Sequence, residues 1–307
     1  MLKLDHNPVM LNEVLEIALG NRPEVFVDAT FGAGGYTKAL LQGGCKKVIA
    51  IDQDSSTEKY FAKLAEDYPE RIQYINDNFK NIAQVVSEEV DGFVFDLGVS
   101  SMQLDQAERG FSFNRSGNLD MRMDRSSSLT AADIVNNYPE KELADLIFNF
   151  GGERKSKRIA RTIVEKRAAR PFETTLDLAN AIIAAVGSYR DEIHPATRTF
   201  QAIRIEVNKE LSVLQIGLMA ACNRVKIGGR IIAVTFHSLE DAIVKRCFSE
   251  LCGKQQNANR HQPVLTNHDA EAKFSILTKK ALQASNEEIK LNPRSRSAKL
   301  RAIRRIA

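Results

Sequence analysis

The stretch "FVDATFGAGGYT", from Phe26 to Thr37, decides the fold class. It begins with alternating apolar residues, passes through a cluster of glycines and continues into a segment with helical spacing. Glycines between a strand and a helix let the backbone turn sharply and approach a ligand closely. The sequence therefore predicts a strand–loop–helix ligand site at this position.

The residues around this stretch repeat the same alternation of strand and helix. Strand-like runs rich in β-branched and aromatic residues alternate with helix-like segments at 37–43 and 55–68. Such a rhythm predicts an α/β fold, with a parallel sheet covered by helices on both faces. The predicted strands lie at 24–29, 46–52, 71–77 and 90–98.

After Asp96 the alternation stops, and the next convincing strand is "GRIIAVTF" at 229–236. The connection is too long for one crossover, and it contains helical patterns after a polar loop at 105–128. We therefore predict a sheet domain from residues 1–104 and 208–307, interrupted by an all-helical insert at 105–207. One long helix at 202–226, ended by Gly228 and Gly229, is expected to return the chain to the sheet.

Composition excludes several classes of protein. An apolar fraction of 43% with 27% charged residues is ordinary for a soluble globular protein. The first residues contain no signal-peptide pattern, and no window approaches the ~20 apolar residues of a membrane helix. Four scattered cysteines fit a reducing compartment, so we expect a cytoplasmic protein without membrane contact.

Charge is distributed unevenly along the chain. Residues 1–100 carry 9 basic and 16 acidic side chains, a net charge of −7, so the remainder carries +11 of the total of +4. The basic residues concentrate at 154–170 and 290–305. This asymmetry predicts a polyanionic partner, most plausibly nucleic acid, whereas each basic run alone could be a solvated helix face.

Two cofactor classes use a glycine loop of this kind, dinucleotides and S-adenosylmethionine. Asp52 ends the second predicted strand, where a carboxylate can accept hydrogen bonds from the ribose hydroxyls of either one. Asp28 ends the first strand, where it would repel a pyrophosphate and attract a sulfonium. Phe79 follows the third strand and could stack on adenine. These residues favour S-adenosylmethionine, although Asp28 could merely cap the turn and Phe79 could belong to the core.

Motifs along nearly the whole chain resemble those of the bacterial ribosomal RNA small subunit methyltransferase H family. The long central motif is specific to that family and is not shared by methyltransferases in general. The motifs are "HNPVMLNEVL" (6–15), "DATFGAGGYT" (28–37), "DLGVSSMQLD" (96–105), "RGFSF" (109–113), "LDMRMD" (119–124), "HPATRTFQAIRIEVNKEL" (194–211), "FHSLED" (236–241) and "NPRSRSAKLR" (292–301).

The resemblance implies a Rossmann-like class I methyltransferase sheet and S-adenosylmethionine as cofactor. It implies methylation of N4 of a cytidine in the decoding region of small-subunit (16S) rRNA, as free RNA or in the 30S particle, and it is compatible with a homodimer. Tyr36 stands where the family commonly has His, and Met102 where it often has Pro. The implied cofactor contacts are Gly34, Gly35, Tyr36, Asp52, Phe79, Asp96 and Gln103.

Amine methylation requires alignment of nucleophile, methyl carbon and sulfur, together with an acceptor for the amine N–H. Asp96, at the end of the fourth strand, is the candidate acceptor, although it could equally bind only the cofactor. Ser100, Ser101 and the segment containing His237 are the other candidates for the base pocket. His237 could accept a proton, but a structural histidine at a strand end is at least as plausible.

The insert is expected to hold the RNA. Its basic helix offers phosphate contacts, and the 105–128 loop has the composition of a mobile lid. Three aromatic residues, Phe111, Phe113 and Phe200, could stack on bases, although each is more typical of a core.

One group of cysteines and histidines is a candidate for a zinc site. Its spacing is wrong for structural zinc, so we predict no metal at Cys247, Cys252, His261 and His268. A dinucleotide-dependent oxidoreductase and a non-catalytic RNA-binding assembly factor are the alternative functions.

Overall fold

The computed structural model describes residues 8–20, 22–187, 194–253 and 272–307. The chain divides into two compact units. The sheet unit comprises the residues up to Gly98 together with Leu211–Ala307, and the helical unit comprises Val99–Glu210. The division thus lies at 99 and 210, where the sequence suggested 105 and 207.

The sheet unit is built on one mixed sheet. The strands are β1 (Val25–Asp28), β2 (Lys47–Asp52), β3 (Ile72–Asn76), β4 (Val90–Asp96), β5 (Val225–Thr235), β6 (Phe274–Ile276), β7 (Leu282–Gln283) and β8 (Lys299–Arg305). Their order is β3-β2-β1-β4-β5-β8-β6, and β7 pairs with β8 outside this path. The first five are parallel, whereas β8 runs antiparallel to β5 and β6. The strand order reverses between β1 and β4, which is where open α/β sheets bind ligands.

Thirteen helices are found among the described residues. They are α1 (Leu11–Leu19), α2 (Gly35–Gln42), α3 (Glu58–Asp67), α4 (Ile82–Val85), α5 (Ser101–Asp105), α6 (Ala131–Asn137), α7 (Glu140–Gly151), α8 (Ser156–Ala169), α9 (Thr175–Val186), α10 (Ala196–Asn208), α11 (Glu210–Arg224), α12 (Ser238–Leu251) and α13 (Asn286–Leu291). Helices α5 to α10 form the helical unit, and α11 begins at its last residue.

Both faces of the sheet are buried, as its continuous apolar strands require. Val27, Phe93 and Phe95 pack into the core on one face. Phe26 and Val94, the alternate residues, pack into the core on the other face with α1 and α2. The predicted parallel strands and the α/β class are confirmed.

The predicted single helix at 202–226 is wrong. The chain instead forms α10 and α11, separated at Lys209, whose φ of 51° is left-handed. The break is stabilised by a paired contact between Arg204 and Glu210, with two N–O distances of 2.8 Å. Strand β5 then begins at Val225, so Gly228 lies within the strand and does not end a helix.

The 105–128 loop contributes to the core of the helical unit, and its interpretation as a mobile lid is wrong. Leu119 and Met121 are almost fully buried. The buried Arg109 donates hydrogen bonds to the carbonyls of Arg122, at 2.9 Å, and Met123, at 3.1 Å. These hydrogen bonds join the two ends of this part of the loop and hold its backbone in one conformation.

The three aromatic candidates also belong mainly to this core. Phe111 and Phe200 are buried. Phe113 is half-buried, stacks on His194 at a centroid distance of 4.5 Å and meets Phe200 edge-on at 5.0 Å. The core interpretation of Phe111 and Phe200 is therefore confirmed.

Candidate active site

The glycine loop between β1 and α2 is shaped by its backbone. Gly34 precedes α2 with a φ of 80°, and a Cβ there would lie 2.8 Å from the ring of Phe31. The amide of Gly32 donates to Oδ2 of Asp52 at 2.7 Å, which ties the loop to the end of β2. The N-cap of α2, Gly34, has no side chain, and the first turn contains no acid. The N–H groups of Gly35 and Tyr36, which lack acceptors within the helix, are therefore open to a carboxylate, whereas Thr37 is hydrogen-bonded to Asp28.

Asp52 is placed to bind hydroxyl groups beside this loop. Its Oδ1 accepts the amide of Asp54 at 2.8 Å, and its Oδ2 accepts that of Gly32. The side chain is half-buried, and this burial raises its pKa to about 7, against the effect of both hydrogen bonds. Each carboxylate oxygen keeps a second lone pair, which can accept from a ribose hydroxyl.

Asp28 has a different role from the one that its position in the sequence suggested. It is fully buried, and it accepts hydrogen bonds from Oγ1 of Thr37 at 2.7 Å and from the amide of Thr30 at 3.3 Å. Burial raises its pKa to about 6. The strand alternation turns Asp28 to the same face as Phe26, the face that α2 covers. Its carboxyl group thus holds α2 on β1, and the structure supports the capping interpretation over contact with a sulfonium.

Asp96 carries a buried oxygen atom without a partner. Its amide donates to Oγ1 of Thr30 at 2.7 Å, but its own Oδ1 has no hydrogen-bond partner among the described residues. Burial, followed by the charges of Asp28 and Glu240, raises its pKa to about 8. Buried polar atoms in native proteins are nearly always paired, so this oxygen marks a place for a ligand.

His237 is the N-cap of α12. Its Nδ1 accepts the amide of Glu240 at 3.4 Å, and Oε2 of Glu240 accepts the amides of Phe236, at 2.8 Å, and His237, at 3.3 Å. This reciprocal capping box gives Nδ1 a structural role, whereas the buried Nε2 lies 3.1 Å from Oε1 of Glu240 without forming a hydrogen bond. Sequence reasoning missed Glu240, although the spacing of three residues in "HSLE" is the signal of such a box.

Two other predicted cofactor contacts, Tyr36 and Phe79, have different surroundings in the structure. The Tyr36 side chain is buried, and its hydroxyl donates to the carbonyl of Val9, so only the backbone of Tyr36 belongs to the loop surface. Phe79 follows β3, is half-buried and meets Phe95 edge-on at 5.5 Å. It also packs against Gly217, where a Cβ would overlap its ring.

Gln103 lies in the helical unit and is not among the residues gathered in the sheet unit. Its Oε1 accepts the amide of Ser100 at 3.1 Å, and its own amide donates to Oγ of Ser100 at 3.2 Å. These bonds form the capping box of α5. Its contact with a cofactor stays a prediction.

The cysteine and histidine group considered for zinc is described only in part. Cys247 is buried and Cys252 half-buried, whereas His261 and His268 lie outside the described residues. The expectation of no metal stays a prediction.

Together, the sheet order with its antiparallel β8, the open glycine loop and the acids that end β2 and β4 define a Rossmann-like class I methyltransferase. These residues fit S-adenosylmethionine, because they offer backbone N–H groups at the start of α2 to its carboxylate, lone pairs of Asp52 to its ribose and an unpartnered carboxyl oxygen of Asp96 to a further polar group. The MraW methylase family model matches residues 3–306, and the chain belongs to that family.

Known relatives cover nearly the whole chain. It is 48% identical over 306 residues to ribosomal RNA small subunit methyltransferase H of Ehrlichia canis, covering 98% of this chain and 100% of that one. It is 45% identical over 307 residues to the protein of the same name from Rhodospirillum rubrum, covering 98% and 94%. An rRNA methylase structure from Streptococcus thermophilus aligns over 97% of this chain and 95% of that one, at 13% identity and a TM-score of 0.44.

The predicted family, methyltransferase class and cofactor are confirmed, which sets aside both the dinucleotide oxidoreductase and the non-catalytic assembly factor. Among the helices of the described residues, none combines the length and apolar character needed to span a bilayer.

Proposed function

We propose that the protein transfers a methyl group from S-adenosylmethionine to N4 of a cytidine in the decoding region of small-subunit (16S) rRNA. Relatives whose names specify the ribosomal RNA of the small subunit match the chain from end to end. The observation that carries the chemical part is the buried, unpartnered Oδ1 of Asp96.

Asp96 is suited to accept a hydrogen bond from an exocyclic amine. The cofactor supplies an electrophilic methyl carbon on a sulfonium. The N4 amine of cytosine is a poor nucleophile because its lone pair is delocalised into the ring. An acceptor on its N–H favours a tetrahedral nitrogen and stabilises the positive charge that develops there. Burial raises its pKa to about 8 in the ligand-free protein, so the carboxyl group is largely protonated near neutral pH, and a cationic cofactor beside it would lower that pKa and favour the ionised acceptor.

The state of the cysteines favours N4 over C5 as the methylated atom. Methylation at C5 needs a cysteine thiolate that adds to the ring. Burial raises the pKa of Cys45 and Cys247 to about 11, and that of Cys222 further still. These buried side chains are therefore thiols. Replacing all four cysteines with Ala should leave methyl transfer intact, and loss of activity in the folded variant would contradict the N4 assignment.

Helix α8 supplies the surface that fits RNA phosphates. Lys157 and Arg158 are exposed in its first turn, where positive charge is unfavourable for the helix itself. Arg167, by contrast, is structural, because it donates to the carbonyls of Val135 and Tyr138 at 2.7 Å. The other exposed cations of this surface are Arg154, Lys155, Arg161, Lys166 and Arg170.

The second basic segment is structural in part. Arg301 and Lys299 pair with Asp241, at 2.7 and 3.3 Å, and Arg305 donates to the carbonyl of Val225 at 2.6 Å. These cations order β8 and α12, so the prediction of a polyanion-binding run at 290–305 holds at most for its exposed residues. The α8 surface is accordingly the better candidate for RNA binding.

A direct assay tests the function. Purified protein is incubated with labelled S-adenosylmethionine and either 16S rRNA or 30S particles from cells that lack the modification. The RNA is then digested and its nucleosides are identified by mass spectrometry. We expect N4-methylcytidine, and the better of the two substrates identifies the physiological one. A 5-methylcytidine product, or no transfer to either RNA, would overturn the proposal.

A charge-matched pair of variants tests the RNA surface. Replacing Arg154, Lys157 and Arg158 with Ala should weaken RNA binding and reduce its salt slope by about 0.7–0.9 for each phosphate that is no longer neutralised. The control removes the same charge from the sheet unit, at Lys63, Lys279 and Lys280. Equal salt slopes for the two variants would show that α8 is only a solvated face.

A homodimer stays a prediction, and sedimentation velocity of the purified protein tests it.

A further inference from the structure

Residues 8–10, here called the N-terminal strap, lie directly on the start of α2. The ring of Pro8 packs so closely on Gly35 that a Cβ there would overlap it. The next residue, Val9, accepts the hydrogen bond from the Tyr36 hydroxyl through its carbonyl. Two consecutive residues of the strap thus contact two consecutive residues of the first turn of α2.

The strap is fixed at its other end by α13. Oε1 of Glu288 accepts the amide of Met10 at 2.7 Å. Met10 is fully buried and has a φ of 53°, a left-handed conformation that is costly for a side chain of this size. Surrounding structure must hold such a conformation in place, and Glu288 provides a specific hydrogen bond that does so.

We propose that the N-terminal strap positions the first turn of α2 for S-adenosylmethionine, with Tyr36 and Glu288 as its two positioning residues. The proposal rests on the cofactor assignment above and extends it to side chains that do not touch the cofactor. The first turn of a helix has the fewest intrahelical hydrogen bonds, and the N-cap of α2, Gly34, has no side chain to cap it. The strap adds a constraint from outside the helix to the one that Asp28 provides through Thr37.

Tyr36 is well suited to this task. Its side chain is buried, and burial, together with nearby acids, raises its pKa well above the usual value, so the hydroxyl remains a hydrogen-bond donor. The side chain reaches past the helix start to Val9, while its backbone lies in the first turn of α2.

The test compares Tyr36→Phe with a matched removal of a hydroxyl elsewhere. Tyr138→Phe is the control, since its hydroxyl bonds Glu206 at 3.2 Å within the helical unit. Loss of one buried hydrogen bond predicts that the Kd and KM for S-adenosylmethionine rise about 3- to 10-fold in Tyr36→Phe. The kcat and the KM for RNA should stay unchanged, and Tyr138→Phe should bind the cofactor like the original protein.

The second arm uses Glu288. Glu288→Ala should weaken cofactor binding to a similar extent, and Glu288→Gln should restore it because an amide oxygen still accepts from Met10. If the strap acts as one unit, combining Tyr36→Phe with Glu288→Ala should cost less than the sum of both. Cofactor affinity that is unchanged in folded Tyr36→Phe, even with a lower melting temperature, would overturn the proposal. Absence of binding by the original protein would instead contradict the cofactor assignment.

Discussion

Helices α2 and α12 both follow a strand of the parallel part of the sheet, but their first turns differ. Helix α2 starts at a glycine, without a side-chain cap and without an acid in its first turn. Helix α12 starts at His237 with a complete capping box and with Glu240 and Asp241 in its first turn. One helix start is open and the other is closed by its own side chains.

The difference separates binding residues from structural ones at the same edge of the sheet. The first two N–H groups of α2 can receive an anionic group, whereas at α12 the capping box already binds the amides of Glu240 and His237. By this criterion Asp52, tied to the loop before α2, is the better candidate for the cofactor site. His237, for which the sequence left a catalytic and a structural role open, caps α12, and its catalytic role stays a prediction.

The largest effect on cofactor binding is expected from a substitution of Asp52, which lies beside the start of α2. Asp52→Ala should raise the Kd for S-adenosylmethionine by about 30- to 900-fold, because two charge-assisted hydrogen bonds are worth roughly 2–4 kcal/mol. Isothermal titration calorimetry measures this directly. Asp241→Ala removes an acid from the closed start and should leave the Kd unchanged. Similar losses of affinity in both variants would remove the distinction between the two helix starts.

The acidic side chains near the two helix starts should change the stability of the protein with pH in opposite directions. Folding raises the pKa of Asp28, Asp52 and Asp96 from 3.8 to about 6, 7 and 8, mainly through burial. The ligand-free folded protein then binds more protons than the unfolded chain, so these groups make stability fall as pH rises from about 4 to 8. Burial also opposes ionisation of Asp241, but Arg301 and Lys299 outweigh it and lower its pKa, so its contribution is lost in acid.

Denaturant unfolding between pH 4 and 8.5 checks the sign. In Asp28→Asn, the decline in the free energy of unfolding between pH 4 and about 6 should be smaller than in the original protein. The Asp241→Asn variant should keep that decline but be less stable than the original protein throughout pH 4 to 8.5, because the ion pairs of Asp241 contribute above the pKa of the unfolded chain and are lost only in more acid solution. A difference between Asp28→Asn and the original protein that does not change with pH would contradict the raised pKa of Asp28.

A smaller effect, on the free energy of unfolding, is expected from a substitution at the start of α12. His237→Ala should lower the free energy of unfolding by about 1 kcal/mol, the usual worth of an N-cap. Cofactor affinity and kcat should be nearly unchanged, and His237→Asn should recover the stability because asparagine is a good cap. Proton transfer typically contributes about 10²–10⁴-fold to a rate, so a decrease of that size in kcat would make His237 catalytic after all.

The open helix start was predictable from local sequence. The apolar runs end at Asp28, Asp52 and Asp96, and the glycines follow the first run directly. Alternation along β1 also contains the information that Asp28 shares a face with Phe26, which would have predicted its burial under α2.

Other features depend on contacts between distant parts of the chain. At the break beside Lys209, the Asn208 side chain donates to the carbonyl of Met121 and accepts the amide of Met123, 87 and 85 residues away. The 105–128 loop looked mobile because its average composition is polar, yet a few apolar side chains anchor it. Strand β8 was not predicted from the sequence because charged residues interrupt its apolar pattern, although Leu300, Ala302 and Ile303 are buried.

Strand β8 has a consequence for synthesis of the protein. Although it comes from residues 299–305, it is an inner strand, hydrogen-bonded to β5 on one side and β6 on the other. Likewise, β4 and β5 are neighbours in the sheet while the whole helical unit separates them in sequence. A nascent chain translated as far as residue 298 can form the β3-β2-β1-β4 half, but it leaves an edge of β5 exposed to other strands. The order of translation therefore places the greatest risk of aggregation just before the last strand is made.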